Sequence, residues 1–88
     1  MQEKPKVRKL VLDILKPHNP SLIEFATTLN SIKDAKIVNV IVRETDRETE
    51  TVKLTIQGFD LNIEEIRQTV ENLGAAIHSI DEVTTEVD

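Results

Sequence analysis

The sequence predicts an α+β sandwich in which one four-stranded antiparallel sheet carries two helices on a single face. Three observations lead there. Four stretches alternate apolar and polar residues with the period of a half-buried strand, and two others repeat apolar residues every three to four positions, as a helix does. The stretches follow one another as strand, helix, strand, strand, helix, strand. The apolar content is aliphatic and rich in β-branched residues, with two Phe and no Tyr or Trp, a composition that favours sheet.

The first strand is expected at residues 7–15. Arg8, Leu10, Leu12 and Ile14 share one face, and Lys9, Val11, Asp13 and Leu15 the other. Lys16-Pro17-His18-Asn19-Pro20 breaks it, because two prolines cannot continue a ladder. A helix follows, started either by Asn19 with Pro20 at the first helical position or by Ser21 with Glu24 three residues on. Its apolar stripe is Leu22, Phe25, Ala26, Leu29 and Ile32, and Lys33-Asp34 ends it.

Alternation resumes at residues 35–45, with Val38, Val40 and Val42 on one side and Ile37, Asn39, Ile41 and Arg43 on the other. Residues 44–50 are polar and mostly charged, which marks a hairpin tip. Residues 51–57 form the returning strand, with Val52, Leu54 and Ile56 inward. Gly58 stops it.

Residues 60–83, around which the rest is organised, read as a complete helix followed at once by a strand. Asn62 caps the helix, with Glu65 at the capping-box position and Leu61 and Ile66 at the two staple positions. Ile63, Ile66, Val70 and Leu73 form its apolar face, and Gly74 supplies the left-handed stop. The last strand is expected at residues 75–83. Strict alternation puts Ile77, Ser79, Asp81 and Val83 on one face and Ala76, His78, Ile80 and Glu82 on the other, without deciding which meets the helices. Residues 1–6 and 84–88 are expected to be flexible ends. Two split βαβ units with right-handed crossovers make the whole a ferredoxin-like βαββαβ sandwich, with residues 1–88 as one domain.

The 88 residues include no cysteine, which excludes disulfides, cysteine–zinc sites, iron–sulfur clusters and thiol catalysis. A net charge of -5 argues against nucleic acid, whose binding rests on Lys and Arg at phosphates. The basic cluster Lys4, Lys6, Arg8 and Lys9 is expected to be a solvated, frayed arm. No apolar run is long enough to span a membrane and no signal peptide opens the chain, so a cytoplasmic location is expected.

Helices on one face leave the other face of the sheet open. It carries Val11, Leu15, Ile37 and Ile41 among polar residues, an apolar patch that suggests association of the chain with itself. A domain of this size buries only about 60–65% of its unfolded surface, and association adds to that.

Candidate site residues fall in three places. Asp13 and Asp81 lie on neighbouring strands, and two close carboxylates repel unless a proton or cation sits between them. With His78 and Glu82 they form the candidate metal set, suited to a hard cation such as Ca or Mg. Lys16 and His18 flank the start of the first helix and are candidate ligand-binding residues for an anionic metabolite. The hairpin acids Asp46, Glu48 and Glu50 lack the frame of a calcium loop and are expected to be a solvated turn. No Ser-His-Asp spacing, phosphate loop or HExxH is present, so no enzymatic activity is expected.

Leu12-Asp13-Ile14-Leu15-Lys16-Pro17-His18, Thr55-Ile56-Gln57-Gly58 and Ile77-His78-Ser79-Ile80-Asp81-Glu82-Val83 resemble, in order and spacing, an archaeal family catalogued as domain of unknown function 211. The resemblance covers nearly the whole chain. It implies a ferredoxin-like fold, a ring-like homo-oligomer and no established activity. It also favours a ligand or cation site at Asp13, His78, Asp81 and Glu82. More distantly, the first half is similar to ACT-type regulatory modules that bind small metabolites. It departs from them where Asn19-Pro20-Ser21 replaces the usual Asp-x-x-Gly turn. An RNA-recognition motif needs aromatics on its central strands, and a soft-metal chaperone needs cysteines; this sequence has neither.

Overall fold

The computed structural model describes residues 4–88. Its elements are β1 (Lys6–Pro17), α1 (Leu22–Asn30), β2 (Ala35–Thr45), β3 (Thr49–Gly58), α2 (Ile63–Asn72) and β4 (Ala76–Glu86). The strands form one antiparallel sheet in the order β2-β3-β1-β4, and both helices cover the same face. This is the expected ferredoxin-like α+β fold.

The core lies between that face and the helices. Cross-strand pairs set its floor: Leu10 opposite Ile56, Leu12 opposite Leu54, and Ile14 opposite Val52. Phe25 and Leu29 from α1 and Ile66 and Val70 from α2 close it from above, all fully buried. Val38 and Val40 are only partly buried and Val42 is exposed. The helices, of nine and ten residues, run about 15 Å, and a strand of eleven residues runs about 36 Å, so helical cover ends before the sheet does.

The helix starts follow the capping chemistry. Of the two candidate starts for α1, Ser21 is the one used: its hydroxyl accepts from the Glu24 amide at 3.1 Å. Asn62 Oδ1 accepts from the amides of Glu64 and Glu65 at 2.9 and 3.2 Å. Gly74, with φ +82°, closes α2 in a Schellman turn, its amide reaching the Glu71 carbonyl while that of Ala75 reaches Val70. Gly58 is required by proximity: a Cβ there would stand 1.9 Å from the carbonyl oxygen of Asp34.

Three expectations are corrected. Strict alternation fails in β4, where the pairing with β1 skips Asp81 between Glu82 and Ile80, and His78 between Ser79 and Ile77. Each skip is a one-residue β-bulge, which resets the phase of the strand. Ile77, Ile80 and Val83 consequently lie opposite Ile14, Leu12 and Leu10 on the helix side, while Ser79 and Glu82 lie opposite Asp13 and Val11 on the open side. Second, residues 84–86 continue β4, with Glu86 opposite Lys6. The basic residues expected to fray are what holds them: Lys6 and Arg8 both contact Asp88, Arg8 also binds Glu86 at 2.8 Å, and Lys9 binds Glu82 at 3.0 Å. The expectation for residues 1–3 lies outside the described residues. Third, β2 ends at Thr45 as expected but β3 begins at Thr49, two residues into the charged stretch, and the Asp46 amide reaches the Thr49 carbonyl at 2.8 Å.

Candidate functional site

A polar concavity lies on the open face of the sheet. Four rows of side chains cross this face, one residue from each strand. The row Ile41–Lys53–Asp13–Ser79 runs through the middle, flanked by Asn39–Thr55–Val11–Glu82 and Glu44–Thr51–Leu15–Ala76. A depression of about 460 Å³ opens over them. Val11 and Thr51 contribute to its floor with Asp13 and Lys53, and its two rims are Arg43-Glu44 from β2 and Asp81-Glu82 from β4.

The rims have one structural cause. The β2–β3 pairing skips Arg43 between Val42 and Glu44, as the β1–β4 pairing skips Asp81. In a regular strand successive side chains point to opposite faces. Each bulge instead turns two consecutive charged side chains toward the same depression. The sequence alone does not show this, because alternation on its own assigns Arg43 and Glu44 to different faces.

The four candidate metal ligands therefore share the open face. Asp13, Asp81 and Glu82 line the larger depression, and His78 lines a neighbouring one of about 220 Å³ with Asp13, Leu15 and Thr51. They are not drawn together as a coordination group. Glu82 pairs with Lys9, and Asp81 accepts a 2.7 Å hydrogen bond from the Ser79 hydroxyl. Among the described residues no three His, Asp or Glu side chains are placed to hold a metal ion.

The candidate ligand-binding pair is built differently. Lys16 is completely buried, and its ammonium donates to the carbonyls of Pro17 and Pro20 and to Glu50 Oε1 at 2.9 Å. An ammonium has three hydrogens, and all three are engaged. The ammonium also stands 5.8 Å from the centre of the Phe25 ring. His18 Nε2 donates to the carbonyls of Asp46 and Arg47 at 2.9 and 3.0 Å, and Nδ1 lies 3.7 Å from the second Glu50 oxygen. Lys16 and His18 thus brace the β1–α1 loop against the β2–β3 hairpin. Glu50, expected in a solvated turn, is the centre of this brace. Its signal was its phase: Lys16 and Glu50 both fall on the inward set of their strands, opposite one another.

The expected apolar patch is reduced. Leu15, Ile37 and Ile41 are exposed, but Val11 is buried at 6% exposure between Thr55 and the bulged Asp81-Glu82. A second apolar surface appears beside α2 at the β4 edge, a 260 Å³ depression lined by Val7, Leu10, Leu61, Ile63, Ile80 and Val83.

No helix of the described residues is long and apolar enough to cross a membrane. The chain is similar to an uncharacterized protein, MJ0319, of Methanocaldococcus jannaschii: 51% identical over 77 residues, covering 88% of this chain and 79% of that protein. The family model described as "Uncharacterized ArCR", domain of unknown function 211, matches residues 8–86. Motifs, fold and similarity agree, and the chain belongs to that family.

Proposed function

We propose that this protein is a non-enzymatic assembly module whose copies associate head to tail through the two edges of the sheet. The observation that carries this is a pairing of shapes. The β4 edge is concave and apolar, with Ile80 and Val83 exposed at 48% and 55% around the depression beside α2. The β2 edge is the opposite edge of the sheet and projects Ile37, Ile41 and Val42 into solvent. Exposed aliphatics concentrated on two edges favour association. A contact between unlike surfaces closes into a ring when its rotation permits. The bulges at His78 and Asp81 interrupt the β4 ladder, so the contact rests on side chains more than on continuous strand pairing.

Sedimentation at micromolar concentration tests the reading. A discrete oligomer is expected, and Ile80→Lys and Ile41→Asp should each release monomers that keep the fold. A wild-type monomer overturns it. Native mass spectrometry with and without a chelator separates apolar assembly, which survives chelation, from assembly through Ca or Mg. The alternative of a metabolite site at residues 16–20 draws no support from Lys16, whose three donors are already used within the chain.

A further inference from the structure

We propose that the open-face depression binds a small organic molecule bearing a carboxylate at one end and an ammonium or guanidinium several carbons away. The inference is separate from the assembly reading, because the depression is complete within one chain.

The argument starts from the two bulges. Bulges re-aim side chains and are enriched beside binding sites. Here the bulge at Arg43 on β2 and the bulge at Asp81 on β4, the two edge strands, deliver charged pairs, Arg43-Glu44 and Asp81-Glu82, to the rims of one concavity. The charges are also sorted. The two cations come from one side, Arg43 on β2 and Lys53 on β3, and Asp13 and the bulged Asp81-Glu82 pair from the other, on β1 and β4. Glu44, beside Arg43, is the acid on the cationic side.

Those charges are under-used by the protein. Among the described residues Asp13, Arg43, Glu44 and Lys53 make no side-chain hydrogen bond or ion pair, although Asp13 and Lys53 are direct cross-strand neighbours. A ligand with both charges can satisfy both halves of the depression together. A simple anion meets four carboxylates, and a simple cation leaves Arg43 and Lys53 without a partner. A bare metal ion is disfavoured by the lack of three converging ligands. The volume of about 460 Å³ lies within the range of small-molecule sites. From Lys53 on β3 to Asp81 on β4 is two strand spacings, about 10 Å, before the side chains lean inward. That span suits a ligand whose charges are separated by a chain of methylenes better than one with both on a single carbon.

The test is a titration of the wild-type chain followed by amide NMR shifts, with 6-aminohexanoate as probe and hexanoate, hexylamine, glycine and calcium chloride as comparisons. Saturable shifts are expected at the depression for 6-aminohexanoate, with affinity falling by roughly tenfold when either charge is removed, as for loss of a charge-assisted hydrogen bond. Arg43 and Asp81 are exposed, so Arg43→Gln and Asp81→Asn should keep the fold, which the same spectra verify. Arg43→Gln should weaken 6-aminohexanoate and hexanoate and spare hexylamine. Asp81→Asn should weaken 6-aminohexanoate and hexylamine and spare hexanoate. No saturable shift, equal binding of hexylamine and 6-aminohexanoate, or tighter binding of calcium at the same residues overturns the proposal.

Discussion

The ammonium of Lys16 lies 2.9 Å from Oε1 of Glu50, and Lys16 has no exposed side-chain surface while Glu50 keeps 15%. A charge withdrawn so far from water is stable only because every hydrogen it carries has an acceptor. The pair joins β1 to β3 at the end of the sheet nearest the hairpin tip, where His18 adds its bonds to Asp46 and Arg47.

Lys16→Met should therefore destabilise the protein by about 3 kcal/mol, since it leaves a half-buried carboxylate and two proline carbonyls without their donor. Urea denaturation measures this. Replacing both partners, as Lys16→Met with Glu50→Leu, should recover most of the loss, because an apolar pair carries no desolvation cost. A double variant as unstable as the single one would show that the carbonyls, and not Glu50, dominate.

Gly58→Ala tests the approach of the α1–β2 turn to β3. Asp34, at φ +71°, aims its carbonyl at Gly58 and accepts the Phe59 amide at 3.0 Å. The added methyl would meet backbone atoms, which do not rotate away, so a loss of about 3 kcal/mol is expected. For a chain of this size that lowers Tm by roughly 15 °C. A shift within a few degrees, read by thermal circular dichroism, would mean the turn yields readily.

The end of the chain should respond to acid. The Lys6 hydrogen bond, reinforced by the charges of Arg8 and Lys6 against the opposing effect of desolvation, holds the Asp88 carboxyl below its ordinary value. A carboxyl lowered in the folded state contributes fully above its unfolded value, and that contribution is lost as pH falls through the lowered one. The protection of the Thr84, Thr85 and Glu86 amides, taken relative to their intrinsic exchange, should thus be high at neutral pH and fall below the ordinary carboxylate range, before that of Ile77 and Ser79 responds. Salt should weaken the same protection, because the pairs are exposed. Exchange at residues 84–86 that ignores both acid and salt would assign their order to the ladder alone.

Most of the fold was legible because its elements obey simple periods. Leu10, Leu12 and Ile14 alternate as a strand buried on one face must, and Ser21 and Asn62 announce their helices through the side-chain oxygen that each amide end needs. The site was less legible. Ile77, Ile80 and Val83 recur every three residues, a spacing that fits no regular strand. In β4 it marks a bulge between each successive pair. Once that is known, the same spacing predicts that His78, Asp81 and Glu82 turn outward. Glu44 carried no comparable signal, since the bulge at Arg43 moves this one charged residue to the open face without disturbing Val38, Val40 and Val42. The surroundings of Lys16 were not legible for a chemical reason: a lysine beside a helix start resembles an anion site, and the sequence does not show that the carbonyls of Pro17 and Pro20 use its hydrogens.

The bulges of β4 also bear on how this protein behaves at high concentration. An exposed, β-branched edge strand of eleven residues is otherwise a template on which further strands add without limit, the first step toward fibrils. Interrupting its ladder at His78 and Asp81 removes the long run of evenly spaced amides and carbonyls that such growth copies. Asp81, Glu82 and Glu86 set like charges against any second copy of the same strand. The device that shapes the open face thereby also protects the chain from its own most aggregation-prone edge.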